Sequence, residues 1–446
     1  MSGLAEILLA REVKVSGSDL AASEKTSQLK KMGAKIFIGH DARHISSTVD
    51  TVVYSSAIAP ANVEYKEASA KGVPLVRRAE FLGELTMGIK TIAVAGTHGK
   101  TTTASMIAHI LIQAGLDPLV AVGASVKELQ GNNARPGVGS IAVVEADEYD
   151  KSFLALSPFI AVITSLESEH LDIYKDLADL EETFAQFANK RNDRHEQGFA
   201  IVNIDEPSIR KILPKFTKRV VSFGVASQEA KYRATDILIT GFQTAAQLRR
   251  GNEHIGQLNL GISGAHNVKN ALAALAVVEI LAIPLDLTLS ALSTFKGAER
   301  RQDIIGEAHG IQVIDDYAHH PTEIRATLSA IRQGFPGRKV IAAFQPHTFT
   351  RTRDFAEDFG KVFADCADEL FLVDIYPARE KPIPGITSKL ILDAARKAGL
   401  KRSTHVESLE VLSETIVNGR KHGDIIITLG AGSITEAAPR ILRNLH

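Results

Sequence analysis

A short glycine-bearing turn between an apolar run and a helical pattern has the residue types that bind phosphate groups. The run 91–95 leads into the segment Gly96-Thr97-His98-Gly99-Lys100-Thr101-Thr102, after which helical spacing continues to Gly115. Glycines let backbone N–H groups close around an anion, a helix N-terminus adds positive potential, and lysine neutralises the outer phosphates. The alternative interpretation is a tight strand–helix turn with an exposed lysine. The agreement of strand, glycines, Lys-Thr and helix favours a phosphate loop, in a form shorter than the standard one because Val94 stands where that loop has its first glycine.

Acidic residues follow the next two apolar runs. The run 141–144 ends in Glu145-Ala-Asp147-Glu148-Tyr-Asp150, and the run 159–164 leads to Glu167, Glu169, His170 and Asp172. The carboxyl ends of parallel strands share one edge of a sheet, and ligands bind at that edge. Lys100, Thr101, Glu145 and His170 can therefore converge, and acids at this position are the type that binds Mg²⁺ in triphosphate enzymes. Taken singly, Glu145 could be a solvated acid and His170 a surface histidine.

The elements that must position these residues alternate between short apolar runs and helical patterns, which predicts α/β architecture with largely parallel sheets. We expect three domains, at 1–88, 89–297 and 298–446. Strands are predicted at 13–15, 35–38, 51–54, 73–76, 91–95, 313–315, 340–344, 370–373 and 425–428. Alternating residues and turn glycines over 234–262 predict antiparallel hairpins inserted in the middle domain. Leu4, Ile7, Leu8 and Val13 have helical spacing at the start of the chain.

Composition excludes several classes of protein. The 446 residues carry a formal net charge of −1, without the basic surplus of a nucleic-acid binder. No stretch approaches the roughly 20 apolar residues that span a bilayer, and the start lacks a basic secretory n-region. The single cysteine, Cys366, excludes a disulfide framework and is expected to be a buried reduced thiol. We therefore expect a cytoplasmic enzyme with no membrane or nucleic-acid partner.

These motifs and several others, in order along essentially the whole chain, resemble the Mur ligase superfamily of bacterial wall synthesis. The Asp-Asp-Tyr-x-His-His-Pro and Gln-Pro-His blocks indicate one type of ligase within the superfamily, whereas the phosphate loop alone would identify only the superfamily. The further matching segments are His266-Asn267-Val-Lys-Asn270, Arg300-Arg301, Asp315-Asp316-Tyr317-Ala-His319-His320-Pro321 and Gln345-Pro346-His347 with Arg351. The resemblance implies an N-terminal UDP-binding domain, a central ATP-binding domain and a C-terminal α/β domain.

The resemblance assigns nucleotide and metal roles position by position. ATP would be bound by the loop Gly96, Thr97, His98, Gly99, Lys100, Thr101 and Thr102, with Lys100 on the β- and γ-phosphates. Mg²⁺ would be held by Thr101, Glu145 and His170. Asn267 and Asn270 would contact adenine, and Arg301 and Asp316 the phosphates and ribose. Without the family, the two asparagines would be interpreted as a helix cap and its neighbour, and Arg300-Arg301 as a solvated pair.

The resemblance also assigns substrate roles in the first and third domains. Tyr317, His319, His347 and Arg351 would surround the muramoyl carboxylate and the incoming amino acid. The residues expected to face uridine and diphosphate are Asp19, His40, Ser55 and Ser56. A zinc site at the clustered histidines is the alternative, but their spacing matches no zinc pattern. Thr348 stands where many members carry arginine, so the details of substrate binding do not carry over there.

The implied reaction is ATP-dependent ligation of L-alanine to the lactyl carboxylate of UDP-N-acetylmuramate, a step of peptidoglycan precursor synthesis. It passes through an acyl phosphate, and Lys100, Glu145, His170, His319, His347 and Arg351 are the expected catalytic residues. Either His319 or His347 could be the base for the amine. The partners expected are these small molecules, with the protein a monomer or homodimer. Competing hypotheses are another ligase of the superfamily, a P-loop kinase or switch ATPase, and a non-catalytic UDP-sugar binder.

The start of the sequence departs from the family pattern. Members begin with a strand and a Gly-x-Gly-x-x-Gly loop, whereas Met1-Ser-Gly-Leu-Ala-Glu matches the start of the helix that follows them. A sheet lacking a central strand has unpaired backbone groups. We therefore expect Met1 to be an internal methionine of a longer natural chain, and UDP-sugar affinity to be impaired in the chain as written.

Overall fold

The computed structural model describes residues 1–129, 131–168, 173–192 and 197–446. The chain forms two compact units, each assembled from several segments. The first unit comprises Met1–Thr235, Leu248–Gly256 and Lys269–Leu292, and the second comprises Asp236–Gln247, Gln257–Val268 and Ser293–His446. The three domain boundaries expected from the sequence stay a prediction.

The N-terminal part of the first unit has four helices and four short strands. The helices are α1 (Ser2–Ala10), α2 (Glu24–Lys31), α3 (Val63–Ala70) and α4 (Arg78–Leu85). The strands are β1 (Ser16–Asp19), β2 (Lys35–Ile38), β3 (Val52–Tyr54) and β4 (Leu75–Arg77). Strands β1 and β2 pair in parallel, as do β3 and β4.

The predicted N-terminal helix is confirmed as α1, which buries Leu4 and Ile7 in the same core as Ala134. The strand predicted at 13–15 is wrong. Glu12 has a positive φ of 61° in the turn that follows α1, Val13 is 45% exposed, and the strand begins only at Ser16. The two valines, Val13 and Val15, suggested a strand at 13–15, but a turn follows α1 and the strand starts three residues later than predicted.

A ten-stranded sheet continues through the middle of the chain. Its strands are β5 (Lys90–Ala95), β6 (Leu119–Val126), β7 (Asn132–Arg135), β8 (Ile141–Glu145), β9 (Ile160–Ile163), β10 (Phe199–Asn203), β11 (Arg219–Gly224), β12 (Tyr232–Thr240), β13 (Gln243–Arg250) and β14 (Glu253–Leu260). The helices are α5 (Lys100–Gln113), α6 (Leu177–Asn189), α7 (Pro207–Ile212), α8 (Ala265–Ile280) and α9 (Leu285–Thr294). The strand order is β14-β13-β12-β11-β10-β9-β5-β8-β6-β7.

The centre of this sheet brings three strand ends together. Strand β5 lies between β9 and β8, and both pairings are parallel. The carboxyl ends of all three strands therefore share one edge, as the sequence predicted. Short two-residue connections join β12 to β13 and β13 to β14, which confirms the hairpins predicted over 234–262.

A six-stranded sheet forms the C-terminal part of the second unit. Its strands are β15 (Asp303–Ala308), β16 (Ile311–Asp316), β17 (Val340–Phe344), β18 (Glu369–Leu372), β19 (Ser403–His405) and β20 (Ile425–Leu429), in the order β15-β16-β20-β17-β18-β19. Only β15 is antiparallel to its neighbour among these pairings. The helices are α10 (Pro321–Gly334), α11 (Phe349–Cys366), α12 (Lys389–Lys397), α13 (Leu409–Thr415) and α14 (Ala437–Leu445).

Two apolar cores pack against this sheet, one containing Ile314, Phe344 and Leu370 and the other Val313, Ile341 and Phe371. Neighbouring apolar residues of β16, β17, β18 and β20 enter different cores, as expected for a sheet covered on both faces. Cys366 is a free thiol buried in the first of these cores, as predicted. Among the helices of the described ranges, none is both long enough and apolar enough to cross a membrane.

Candidate active site

The predicted phosphate loop connects β5 to α5, and two of its residues have backbone angles that favour glycine. Gly96 has a φ of 137° and Gly99 a φ of 82°. A Cβ atom on Gly96 would lie 2.2 Å from Oγ1 of Thr164, and one on Gly99 would lie 2.6 Å from Oδ1 of Asn270. Both positions therefore require glycine for conformation and for space.

The loop is fastened to the residues that follow β9. The Thr97 amide donates to the Ser165 carbonyl at 3.2 Å, and the His98 amide donates to Ser165 Oγ at 2.8 Å. The Thr164 hydroxyl donates to the His98 carbonyl at 2.5 Å. These contacts fix the main chain of the loop before any ligand binds. The sequence did not single out Thr164 or Ser165, and only their place at the end of a neighbouring strand could have suggested them.

Lys100 begins α5 and its side chain turns back over the loop. Its Nζ donates to the Gly96 carbonyl at 2.6 Å and to both carboxylate oxygens of Glu148 at 2.9 Å. The Glu148 side chain is 1% exposed and the Lys100 side chain 15% exposed. Glu148 stands in the acidic segment after β8, where nothing in the sequence distinguishes it from the neighbouring acids.

Thr101 and Glu145 lie together beside the loop. The Thr101 hydroxyl donates to Oε2 of Glu145 at 2.8 Å, and the amide of Gly123 donates to the same oxygen at 2.7 Å. A hydroxyl and a carboxylate oxygen at this distance are donors of the kind that Mg²⁺ prefers, so the two residues fit such an ion. His170, the third predicted metal ligand, lies outside the described residues.

The asparagines predicted to contact adenine are both buried on α8 and three residues apart. Asn270 Oδ1 accepts a hydrogen bond from the Thr103 hydroxyl at 3.2 Å, so it fixes α8 against α5. Asn267 Nδ2 donates to the Ser263 carbonyl at 2.8 Å. Each asparagine thus has a structural contact, and its adenine contact stays a prediction.

Among the predicted UDP-facing residues, His40 belongs to a polar cluster. Ser18 Oγ lies 3.1 Å from His40 Nδ1 and donates to Glu64 at 2.6 Å. Glu64 also contacts Nδ1 of His44 at 2.6 Å. Asp19 and Ser56 are exposed, and Ser55 Oγ accepts a hydrogen bond from the Ala57 amide at 3.1 Å. Glu64 was missed by the sequence analysis because a helical glutamate carries no signal of its own.

In the second unit, Asp316 ends β16 and organises the turn that follows. Its carboxylate accepts hydrogen bonds from the Gln302 amide at 2.9 Å, the Ala318 amide at 2.8 Å and the Thr327 hydroxyl at 3.2 Å. Burial raises the pKa of Asp316 to about 6, against the opposing effect of Arg301. Arg301 Nη1 lies 3.5 Å from Glu323. The nucleotide roles of Arg301 and Asp316 stay predictions.

The residues predicted to hold the substrate carboxylate and the amino acid form one cluster. The rings of Tyr317 and His319 lie 5.3 Å apart, and those of His319 and His347 lie 5.7 Å apart. Arg351 Nη1 lies 3.3 Å from His347 Nδ1. The guanidinium of Arg300 lies over the Tyr317 ring at 4.9 Å. The structure therefore brings Tyr317, His319, His347 and Arg351 together at the ends of β16 and β17.

His347 is held neutral by its surroundings. Burial and the nearby Arg351 guanidinium lower its pKa to about 4, while Glu380 acts in the opposite direction. The His347 ring stacks on the Tyr376 ring, with the ring centroids 5.8 Å apart. His319 differs, because its Nδ1 lies 3.3 Å from the Glu323 carboxylate, a group that would stabilise an imidazolium.

The backbone beside His347 is strained and is held by a side chain from another loop. Thr348 has a φ of 69° and a ψ of 149°, angles that a β-branched residue rarely adopts. Glu380 accepts hydrogen bonds from the amides of Phe349 at 2.6 Å and Thr350 at 3.0 Å, which caps α11. The sequence did not predict this capping role of Glu380.

Three domain models of one known family match this chain over nearly its whole length. Residues 1–89 match the domain described as "Mur ligase family, catalytic domain", residues 94–278 the "Mur ligase middle domain", and residues 300–432 the "Mur ligase, glutamate ligase domain". The chain belongs to the Mur ligase family.

Two curated proteins that are similar to this chain carry the same name. The chain is 44% identical to a UDP-N-acetylmuramate–L-alanine ligase of Geobacter sp. (strain M21), over all of this chain and 95% of that protein. It is 43% identical to the ligase of the same name in Myxococcus xanthus (strain DK1622), over all of this chain and 93% of that one.

Two solved ligase structures are similar to this chain over nearly its whole length. A crystal structure of the UDP-N-acetylmuramate–alanine ligase MurC from Thermotoga maritima matches with a TM-score of 0.84 at 28% identity, over 99% of this chain and 96% of that one. A murein peptide ligase from Psychrobacter arcticus matches with a TM-score of 0.71 at 25% identity, over 100% and 96% of the two chains.

Proposed function

We propose that this protein joins L-alanine to the lactyl carboxylate of UDP-N-acetylmuramate, using ATP and forming ADP and phosphate. The observation that carries the proposal is the preformed loop of Gly96 to Thr102, with Lys100 over it and Thr101 bonded to Glu145 beside it. The full-length similarity to ligases named for this reaction supports the choice of substrates.

The first unit supplies the phosphate chemistry. Lys100 and the backbone amides of the loop would hold the β- and γ-phosphates of ATP at the start of α5, where the helix dipole favours negative charge. Thr101 and Glu145 would hold Mg²⁺, which neutralises the charge on the transferred γ-phosphoryl group. Asn267, Asn270, Arg301 and Asp316 are the further proposed nucleotide contacts.

A carboxylate cannot acylate an amine directly, because its leaving group would be oxide. Transfer of the γ-phosphoryl group to the lactyl carboxylate oxygen gives ADP and an acyl phosphate. Attack of the alanine nitrogen on the acyl carbon then forms the amide bond, breaks the acyl C–O bond and releases phosphate. Arg351 would hold the carboxylate, since its guanidinium pairs with planar anions.

The amine must lose a proton before it attacks, and we assign that proton to His319. Glu323 lies 3.3 Å from His319 Nδ1 and would stabilise the imidazolium that results. His347 stays neutral with a pKa of about 4, so it serves better as a hydrogen-bonding group than as the base at neutral pH. Asp19, His40, Ser55 and Ser56 are the proposed contacts of the UDP-sugar.

An isotope experiment tests this reaction. UDP-N-acetylmuramate labelled with ¹⁸O in its lactyl carboxylate is incubated with Mg-ATP and L-alanine, and the products are analysed by mass spectrometry. We expect UDP-N-acetylmuramoyl-L-alanine and phosphate that has gained ¹⁸O from the carboxylate. Product formed without label in the phosphate would exclude the acyl phosphate. Phosphate formed without any ligated product would favour the kinase or switch ATPase hypothesis.

The amino-acid partner separates this proposal from other ligases of the family. The same incubation is repeated with D-alanine, L-glutamate and the tripeptide L-alanyl-γ-D-glutamyl-meso-diaminopimelate in place of L-alanine. We expect ligation with L-alanine alone among these four. Ligation of the tripeptide instead would identify a peptide ligase. The murein peptide ligase structure matches this chain with a lower TM-score than the alanine ligase structure does.

A further inference from the structure

We propose that Glu148 is a positioning residue that holds the Lys100 ammonium in place over the phosphate loop. The inference rests on the proposed function for its kinetic readout, and it goes beyond the residues expected to touch ATP or metal. Glu148 would act through Lys100 and not on the substrates.

The geometry of the pair is that of an enclosed, two-oxygen contact. Both carboxylate oxygens of Glu148 lie 2.9 Å from Lys100 Nζ, and the Gly96 carbonyl accepts from the same ammonium at 2.6 Å. The Glu148 side chain is almost fully buried. An ionised carboxylate is stable in such a place only with a cation beside it, so each member fixes the position of the other.

The backbone of Glu148 is itself held on two sides. Its carbonyl accepts hydrogen bonds from the Tyr174 hydroxyl at 2.5 Å and from the Lys151 amide at 3.0 Å. The chain then passes through Asp150 and Lys151 with positive φ values of 56° and 53°, angles that two successive non-glycine residues seldom adopt. This tight turn is anchored by a contact of Lys151 with Asp179 at 3.0 Å.

These contacts explain why Lys100 needs a partner. A lysine side chain has four rotatable bonds and loses about 2 kcal/mol of rotamer entropy when it is fixed. Glu148 and Gly96 fix the ammonium before the nucleotide binds, so that phosphates arriving at the loop meet a charge already in position. Glu145, three residues earlier, contacts Thr101 and is separate from this role.

The test compares Glu148→Gln, Lys100→Ala and the double variant with the wild-type chain. The Glu148→Gln substitution keeps the shape of the side chain and removes its charge. We expect kcat for amino-acid-dependent phosphate release to fall about tenfold or more, as misplacement of a positioned group does, without a rise in KM for ATP. An unchanged kcat would overturn the proposal.

The double variant distinguishes positioning from direct action. If Glu148 acts only through Lys100, adding Glu148→Gln to Lys100→Ala leaves the residual kcat unchanged. A further loss of about tenfold would mean that Glu148 acts on the substrates or the metal, and would overturn the proposal. The matched control is Glu182→Gln, which removes the same charge from an exposed pair with Lys215 and should leave kcat unaltered.

Thermal unfolding gives a readout that does not depend on the ligase reaction. Lys100→Ala leaves Glu148 buried without its cation and should lower Tm, and the added Glu148→Gln should restore part of that loss. A Tm that the second substitution lowers further would contradict the coupling. If the wild-type chain shows no amino-acid-dependent phosphate release, the proposed function fails, while this thermal cycle still tests the coupling between Glu148 and Lys100.

Should Glu148→Gln fail to fold, Tyr174→Phe tests the same proposal from the other side. It removes the hydroxyl that donates to the Glu148 carbonyl and keeps the buried ring. We expect kcat to fall in the same direction by a smaller factor, with KM for ATP not raised. A kcat equal to the wild-type value would contradict the positioning chain from Tyr174 to Lys100.

Discussion

The loop from Gly96 to Gly99 is held by hydrogen bonds to its own main-chain groups, whereas the cluster around His347 is held by contacts between side chains. The loop amides and carbonyls bond to Thr164 and Ser165, at distances of 2.5 to 3.2 Å. The cluster consists of rings 5.3 to 5.8 Å apart beside a strained residue, Thr348. Main-chain sites depend on a few glycines, while side-chain sites depend on every neighbour that fixes a rotamer.

This difference also separates what each region can do. A rigid loop of amides at a helix start binds any polyphosphate of suitable length and gives little selectivity. A cluster of imidazole, phenol and guanidinium groups can distinguish a carboxylate and an amine by shape and by hydrogen bonding. We therefore expect the loop to carry the rate of phosphoryl transfer and the cluster to carry the choice of amino acid.

The largest predicted effect is on the loop. Lys100→Ala should lower kcat/KM for amino-acid-dependent phosphate release at least about a hundredfold, since one preorganised electrostatic group is worth roughly that much. A steady-state assay of phosphate release measures it, with the exposed Lys215→Ala as the control for loss of a lysine. A loss of kcat/KM below about threefold would show that Lys100 does not contribute to phosphoryl transfer.

The second prediction concerns the pH dependence of stability in the histidine cluster. Burial and Arg351 lower the pKa of His347 to about 4, against about 6.5 in an unfolded chain. The unfolded chain therefore gains a proton that the folded chain does not, and stability is full above about pH 6.5 and declines towards pH 4. Between about pH 7 and pH 5 the loss should be roughly 1–2 kcal/mol.

Denaturant unfolding of the wild-type chain and of His347→Gln at the two pH values measures this loss. The glutamine variant keeps a polar side chain that does not titrate, so the contribution of His347 to the pH dependence should be absent from it. If both proteins respond to pH in the same way, His347 is not the neutral, buried group described above.

The third prediction concerns Asp316, whose contribution to stability should change with pH in the opposite direction to that of His347. Burial raises the pKa of Asp316 to about 6, above the unfolded value near 3.9. The folded chain therefore binds the proton more tightly, and this contribution to stability is full below about pH 3.9 and lost as pH rises through 6. Asp316 should add about 1 kcal/mol of stability at pH 5 relative to pH 7, and Asp316→Asn should lack this change.

The same denaturant series measures Asp316. The comparison with His347→Gln is informative because, for the two variants, the difference in stability from the wild-type chain should change in opposite directions between pH 5 and pH 7. A stability difference for Asp316→Asn that is constant from pH 5 to pH 7 would contradict the raised pKa.

The smallest predicted effect tests the strain at Thr348. Thr348→Gly should stabilise the protein by about 1 kcal/mol, because relief of an unusual backbone angle outweighs the conformational entropy that glycine adds. The matched control is Thr348→Ala, which has a Cβ atom and should gain nothing. Equal stability for the glycine and alanine variants, measured by thermal unfolding, would mean that the backbone there is unstrained.

The contiguous parts of the site were predictable from local sequence, whereas several contacts between distant residues were not. The loop stands in one segment between a strand and a helix, so its place in the fold followed from local pattern. Glu148, Glu64 and Glu380 act through contacts with residues 20 to 48 positions away, which no local pattern reports. The grouping of Tyr317, His319, His347 and Arg351 came from family resemblance and from the shared edge of parallel strands.

The strands show the same division. Strand β17, which is buried on both faces, was predicted to the residue, because an apolar run of five residues has few other uses. The exposed strand β1 (Ser-Gly-Ser-Asp) has no apolar residue, and the prediction moved to the valines before it. Pairing with β2 creates that strand, and pairing is a property of the fold and not of the segment.

The most direct test of the account is phosphate release from Mg-ATP measured with UDP-N-acetylmuramate and L-alanine added singly and together. We expect release only when both are present, because ATP bound at the loop transfers its γ-phosphoryl group to the carboxylate, and phosphate leaves only when the amine attacks the acyl carbon. Release at the same rate without either substrate would contradict it, and would make the protein an ATPase on a Mur ligase fold.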